Sequence, residues 1–313
     1  MKRALVFPGQ GSQAVGMGQA LAGAFTEARD VFQEVDEALG QNLTKVMFEG
    51  PADDLKLTEN AQPALMAVSM AVIRVLDKQD QFRLPEAAKF VAGHSLGEYS
   101  ALCAAGSFNL ADTARLLKKR GQAMQQAVPV GIGTMAALIG VDLPVAQEIA
   151  AEASQGEVCA AANDNAPGQV VISGHVAAVD RAIAIAAERG FKRSVKLPVS
   201  APFHCSLMKP AADVMQKALA AVAIKPPVVP VVANVTAEAV SSAEDIRDLL
   251  VQQITGAVRW RESVLYMKAQ GVEQLVECGA GSVLAGLTKR IDKEMTAVSL
   301  QTPEDIENFL KAR

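Results

Sequence analysis

Short apolar runs alternate with longer amphipathic stretches along this chain, and that alternation predicts an α/β protein. Arg3 to Phe7 reads as a first strand, ending at Pro8-Gly9-Gln10-Gly11-Ser12-Gln13. From about Phe25 to Leu39, the positions Val31, Phe32, Val35, Ala38 and Leu39 mark one buried helical face. Pro63 is read as a helix start, with Ala64 to Leu76 following, because proline is tolerated in the first turn. Phe90-Val91-Ala92 reads as a strand running into Gly93-His94-Ser95-Leu96-Gly97, with a helical pattern from Glu98 through Ala105. Another amphipathic helix covers roughly Ala111 to Ala127 and stops at Pro129.

From Gly131 a self-contained pattern begins. Thr134 to Val141 reads as a strand and Val145 to Ala153 as a helix. Val158 to Ala162 and Gln169 to Ser173 read as strands joined by the loop Asn163-Asp164-Asn165-Ala166-Pro167-Gly168. Val176 to Glu188 is a helix, and Lys192 to Leu197 a final strand. This βαββαβ order is the ferredoxin-like split motif. The expectation is a small domain over 129–198, inserted into a large domain made of 1–128 and 199–313. The large part resumes with a helix from Lys209 to Val222, a strand from Val228 to Ala233 and a helix from Ala243 to Ile254. A helix from Val264 to Gln270, a strand from Gln274 to Glu277 and a helix from Val283 to Arg290 follow.

Half of the 313 residues are hydrophobic and few are aromatic, which suits buried parallel strands. The net charge of −4 argues against nucleic acid as the main ligand. No run of eighteen apolar residues suggests a membrane span, and the first apolar run is too short for a signal peptide. Four scattered cysteines, Cys103, Cys159, Cys205 and Cys278, read as reduced thiols in the cytoplasm, not as a metal set. The sequon at Asn234-Val235-Thr236 is then coincidental.

Strand, G-x-S-x-G and helix together form the setting of a nucleophile elbow, in which a strained turn lifts the Ser95 hydroxyl clear of the sheet. The amide of Leu96 would then face a developing oxyanion. The same pentapeptide also fits a plain turn whose serine caps the helix. The loop around Gly9 and Gly11 lets the Gln10 backbone approach a substrate as a second oxyanion donor, although an ordinary tight turn needs the same glycines. A dinucleotide fingerprint also matches Gly9 to Ala14 and Gly131 to Ala136. The first lacks an acid at the end of a second strand, and the second precedes its strand. No redox cofactor is expected. Of three histidines, His94 adjoins Ser95 and points away from it, and His175 reads as a solvated loop residue. Elimination leaves His204 as the base. No acid declares itself as a third member. Arg120, which closes Lys118-Lys119-Arg120, is either part of a solvated face or a fork for a substrate carboxylate.

The ordered set Phe7 to Gln13, Gln62-Pro63-Ala64, Gly93 to Glu98, Arg120-Gly121, Asn163 to Gln169, Phe203-His204 and Gly286 to Arg290 resembles a known family. It is similar to the stand-alone malonyl-CoA:acyl carrier protein transacylases of fatty acid synthesis, over essentially the whole chain. The resemblance implies a large α/β-hydrolase-like domain with a ferredoxin-like insert and a ping-pong transfer through a malonyl-serine. Ser95 would be the nucleophile, His204 the base, and the amides of Gln10 and Leu96 the oxyanion hole. Arg120 would bind the malonyl carboxylate, and a backbone carbonyl near Gln253 would orient the histidine. His94, Asn163, Asn165 and Phe203 would line the cleft, the asparagines otherwise being turn residues, and the phenyl ring would disfavour an α-methyl group. The implied partners are malonyl-CoA and an acidic acyl carrier protein, met by a basic rim for which Arg193, Lys196 and Lys289 are candidates, each otherwise plain solvated surface. No metal, nucleic acid or membrane is expected, and a cytoplasmic monomer suffices.

Two departures stand out. Ala280 occupies a usual proline position in Cys278-Gly279-Ala280-Gly281, and Thr255-Gly256 replaces an Asn-Pro step after Gln253. Both bear on loop shape. A serine thioesterase or hydrolase using the same pair, and a non-catalytic carrier-binding module, are the alternatives. Arg120 speaks against the first, and the Ser95–His204 pair against the second.

Overall fold

In the computed structural model, residues 1–78 and 82–312 are described, and they contain ten strands in two sheets. The strands are β1 (Arg3–Phe7), β2 (Phe90–Gly93), β3 (Gly133–Ile139), β4 (Cys159–Ala166), β5 (Gln169–His175), β6 (Arg193–Lys196), β7 (Val231–Val232), β8 (Ala239–Val240), β9 (Gln274–Cys278) and β10 (Thr296–Leu300). The first sheet runs in the order β10-β9-β1-β2-β7-β8 and is parallel except for its β7–β8 pair. Its central strands carry no polar alternation because helices cover both faces: Ala4, Leu5, Val6, Phe7, Val91 and Ala92 are all buried.

β1 and β2 are neighbours, with Phe7 opposite Gly93. That register sets the loop after β1 beside the turn after β2, at the carboxyl ends where open α/β sheets build their sites. The second sheet runs β4-β5-β3-β6 and is wholly antiparallel. Its helices, Leu143–Ser154 and Val176–Glu188, pack on it around a separate apolar cluster that includes Leu138, Ile149, Ile172 and Val179.

Several elements differ from the expectation for physical reasons. Pro63 does not start a helix; it lies inside the helix Thr58–Asp77. Nearly the whole of that helix is buried, so packing outweighs the lost backbone hydrogen bond. The loop expected at 163–168 is mostly strand, because β4 extends to Ala166. Two register shifts absorb the extra residues, and pairing with the segment at Val258 holds them extended, at 2.8 Å (Val258 N to Ala162 O) and 2.9 Å (Asp164 N to Val258 O). Asn163 and Asn165 are therefore strand residues. The strand expected over Val228 to Ala233 shrinks to two residues, beside Pro230, which has no N–H to donate. The helix expected from Val264 begins at Trp260, which is fully buried.

β10 and the helix Pro303–Lys311 have no counterpart in the expectation, although Thr302 and Asp305 form a capping box at that helix's start. No described helix is long and apolar enough to cross a membrane.

Candidate active site

The turn after β2 is built by close approach. A Cβ on Gly93 would lie 1.9 Å from the Gly97 carbonyl carbon, and one on Gly97 would lie 2.3 Å from the Phe7 oxygen. Only glycine fits either place. Between them Ser95 adopts φ 53°, a left-handed conformation that non-glycine residues rarely take. The turn is held from outside by Asn234. Its Oδ1 accepts from the Ser95 amide at 2.8 Å, and its Nδ2 donates to the Gly93 carbonyl at 2.7 Å. Asn234 is fully buried, so the sequon it begins serves the elbow and no glycan.

The Ser95 hydroxyl lies 2.8 Å from His204 Nε2. His204 also has a positive φ, 57°, so both members of this pair sit in strained backbone. The opposite ring nitrogen, Nδ1, faces the carbonyls of Gln253 and Gly256 at 2.8 and 3.1 Å. Carbonyls only accept, so Nδ1 carries the proton and Nε2 turns a lone pair toward the serine. Burial, reinforced by the Arg120 charge, pushes the His204 pKa down to about 3, so the ring is neutral near pH 7. Gln253 and Gly256 do this orienting with backbone atoms, which no side-chain pattern reveals. The departure at Thr255-Gly256 thus falls on the loop that supplies the second carbonyl.

Arg120 is buried, not on a solvated face. Its neighbour Lys118 pairs with Glu59 at 3.1 Å and Lys119 is exposed, so one basic cluster divides between surface and site. Arg120 comes from the helix Leu110–Gln126 and donates to Gln62 Oε1 (2.8 Å), Gln253 Oε1 (2.8 Å) and Ser95 Oγ (3.1 Å). All three partners are uncharged, while its Nε is buried with no hydrogen-bond partner among the described residues. A guanidinium held this way beside a serine hydroxyl is ready for a carboxylate.

A cavity of about 420 Å³ opens in front of these groups. Gln10, His94, Ser95, Leu96, Arg120, Asn163, Phe203 and His204 line it, with Met124 and Met135 as apolar wall. Asn165 and Gln253 are not among the lining residues. Asn165 instead meets His94 Nε2 at 2.8 Å, and Gln253 lies behind Arg120. The Gln10 loop rests on the elbow so closely that a Cβ on Gly9 would lie 2.7 Å from the His94 oxygen. Neither the Gln10 nor the Leu96 backbone amide has an acceptor among the described residues. His175 is not a solvated loop residue: it ends β5, is half-buried, and its Nδ1 accepts from the Val158 amide at 2.9 Å.

Sequence reasoning missed Asn234, Gln62 and Glu98. Glu98, in the first turn of the helix Gly97–Ala104, is buried and accepts from the Asn234 amide and from Gln253 Nε2, each at 2.9 Å. Burial pushes its pKa up to about 7. The Gln62-Pro63 pair was a signal for Gln62, and the glutamate closing Gly93 to Glu98 was one for Glu98. Asn234 had none beyond the sequon. Among the described residues no cluster of three or more His, Cys, Asp or Glu side chains is arranged to hold a metal.

The lowered His204 pKa has a consequence for stability. Unfolded, the imidazole takes up a proton below about 6.5; folded, it stays neutral down to about 3. The unfolded state therefore holds more protons across that window, and stability falls as the pH drops through it. Relative to the native chain, His204→Ala is expected to gain up to about 1.4 kcal/mol per pH unit on acidification from 6.5 toward 3. Urea unfolding of both chains at two pH values checks it, and a pH-independent difference would contradict the buried neutral ring.

Comparison with known proteins places this geometry among relatives. Residues 4–303 match the acyl transferase domain family. A protein of Escherichia coli (strain K12) described as malonyl CoA-acyl carrier protein transacylase is 48% identical over 300 residues, 96% of this chain and 96% of that protein. A crystal structure of an acyl-carrier-protein-S-malonyltransferase from Bartonella henselae superposes with a TM-score of 0.97 at 55% identity, covering 100% of this chain and 99% of that one. A second similar structure is a type II PKS acyl-carrier protein in complex with its malonyl-transacylase, with a TM-score of 0.96, 42% identity and complete coverage (100%) of both chains.

Proposed function

Because this chain belongs to the acyl transferase family, among its malonyl CoA-acyl carrier protein transacylases, we propose that it moves malonyl from malonyl-CoA to the phosphopantetheine thiol of an acyl carrier protein. The reaction runs through an ester on Ser95 and supplies fatty acid synthesis. The observation that carries this reading is a buried Arg120 that donates hydrogen bonds only to uncharged groups and whose Nη2 lies 3.1 Å from the Ser95 hydroxyl. A hydrolase of simple esters has no use for a buried cation at its nucleophile.

His204 Nε2 takes the Ser95 proton as Oγ attacks the thioester carbonyl. The free amides of Gln10 and Leu96 receive the oxyanion. Collapse of that adduct breaks the C–S bond, and His204 returns its proton to the departing coenzyme A thiolate. The carrier thiol then reverses these steps on the ester. Thioester exchange is redox-neutral and needs no metal, so no cofactor enters the reaction. Phe203, 7% exposed, fills space next to the base that an α-methyl group would need.

The finer fold reading has support too. Parallel strands ending in a nucleophile elbow suit an α/β-hydrolase-like large domain over 1–128 and 199–313. The strand order β4-β5-β3-β6 suits a ferredoxin-like small domain over 129–198. Ser95, His204 and Arg120 meet within a single chain, so the proposed reaction needs no more than a monomer. Four buried free thiols fit the cytoplasm. Exposed Arg193, Lys196 and Lys289 are the proposed contacts for an acidic carrier, with Lys196 already paired to Asp180 at 2.6 Å.

Acyl selectivity tests the proposal. Arg120→Ala is expected to lower the preference for malonyl-CoA over acetyl-CoA by about 10- to 150-fold, the range for losing a charged hydrogen bond. Competition between the two thioesters reads the ratio, and an unaltered preference would remove Arg120 from the substrate site.

A further inference from the structure

Gln253 spans the site with both ends of its side chain. Its Oε1 accepts from Arg120 Nη2 at 2.8 Å, and its Nε2 faces Glu98 Oε2 at 2.9 Å, the Ser95 carbonyl at 3.0 Å and Asn234 Oδ1 at 3.1 Å. A primary amide can rotate end for end with little change of shape. Here rotation would turn an N–H toward a guanidinium, which only donates, and an oxygen toward Glu98 Oε2, the Ser95 carbonyl and Asn234 Oδ1, which act as acceptors here. Arg120 on one side, and Glu98 with the Ser95 carbonyl and Asn234 Oδ1 on the other, therefore fix one orientation.

Glu98 does more than receive that amide. Its Oε2 also accepts from the Asn234 backbone at 2.9 Å, and the Asn234 side chain holds the Ser95 amide. One buried carboxylate is thus joined to the nucleophile through Asn234 and to the arginine fork through Gln253. It sits in the first turn of the elbow's own helix, where a negative charge is favoured. None of its contacts reaches the cavity, whose lining does not include it.

We infer that Glu98 is a positioning residue for acyl selectivity: acting through the Gln253 amide, it holds the Arg120 fork at the place where the substrate carboxylate binds. This inference rests on the reading of Arg120 given above. It accounts for the absence of an acid beside His204. The acid of this site stands one residue away, behind Gln253, and serves the arginine.

Glu98→Gln is the first test, because it preserves volume and replaces the carboxyl group with a permanently uncharged amide that can turn either end toward Gln253. The Gln253 amide then loses its Glu98 anchor and keeps only the Ser95 carbonyl and Asn234 Oδ1 as acceptors. The malonyl-over-acetyl preference is expected to fall at least about tenfold, mainly as a raised KM for malonyl-CoA. Gln253→Leu removes the relay while keeping the carbonyl that faces His204, and is expected to give a similar loss. Since Glu98 acts through Gln253, the double variant should lose no more than Gln253→Leu alone. A merely structural Glu98 would lower the melting temperature and leave the preference untouched. A preserved preference in Glu98→Gln, or losses that multiply in the double variant, would overturn the inference. Arg120→Ala is measured alongside. If it too keeps the preference, the reading of the carboxylate site fails and this inference with it. If Arg120→Ala loses the preference and Glu98→Gln keeps it, only the role of Glu98 fails.

Discussion

Ser95→Ala is expected to leave no acyl-enzyme and to lower malonyl transfer on the order of 10⁶-fold, the scale for deleting a serine nucleophile. The side chain removed is one oxygen, yet it is the meeting point of the site. It lies 2.8 Å from His204 Nε2 and 3.1 Å from Arg120 Nη2. The arginine donates to it and the imidazole accepts from it, so both neighbours favour the alkoxide that attack requires. Alanine keeps the Cβ and the backbone conformation, and Asn234 still holds the turn through main-chain atoms. Folding should therefore survive, which makes the variant a clean probe. Stopped-flow transfer assays with malonyl-CoA and a carrier protein read the loss. Transfer within tenfold of the native rate would mean that another group is acylated.

His204→Ala is expected to slow acylation by about 10²–10⁴-fold, the usual worth of a positioned general base. Three features of one ring set this magnitude. It is within hydrogen-bond reach of the hydroxyl, its tautomer is fixed by the carbonyls of Gln253 and Gly256, and it is neutral at working pH. A carboxylate behind the ring would stabilise the imidazolium, whereas two carbonyls supply only dipoles, and Arg120 opposes its charge. On the proposed reading, a malonyl carboxylate on Arg120 would cancel that opposition and strengthen the base when that acyl group binds. Acylation rates of His204→Ala with malonyl-CoA, compared with the native enzyme, check the magnitude. A rate within threefold of native would remove His204 from the proton transfer.

The outline of the site was legible where chemistry demands a rare residue pattern. Gly93 and Gly97 announce themselves because no Cβ fits at either position. His204 followed from having only three histidines to choose among. What stayed hidden works through groups every residue owns or through distant pairing. Of the two carbonyls that orient His204, that of Gln253 was implied only by the family resemblance and that of Gly256 not at all, because both belong to the backbone. Asn234 looked like a chance sequon because its partners, Gly93 and Ser95, lie far away in sequence. Glu98 stayed without a role, because its partners Asn234 and Gln253 lie far away in sequence.

The same division holds for the fold. Strands with uniform apolar runs, such as Arg3–Phe7, could be read directly. The length of β4 could not, because the Val258 segment that holds Asn163 and Asp164 extended is nearly a hundred residues away. Pro63 misled for a related reason: burial of a whole helix outweighed a local rule. The helix Pro303–Lys311 was readable from Thr302 and Asp305.

The central claim is a malonyl ester on Ser95, and it can be seen directly. The protein is mixed with malonyl-CoA without an acceptor, its intact mass is taken, and the modified peptide is mapped. The account predicts a single malonyl adduct on Ser95 that is discharged when carrier-protein thiol is added. Free malonate released with no adduct, or an adduct on another residue, would contradict it.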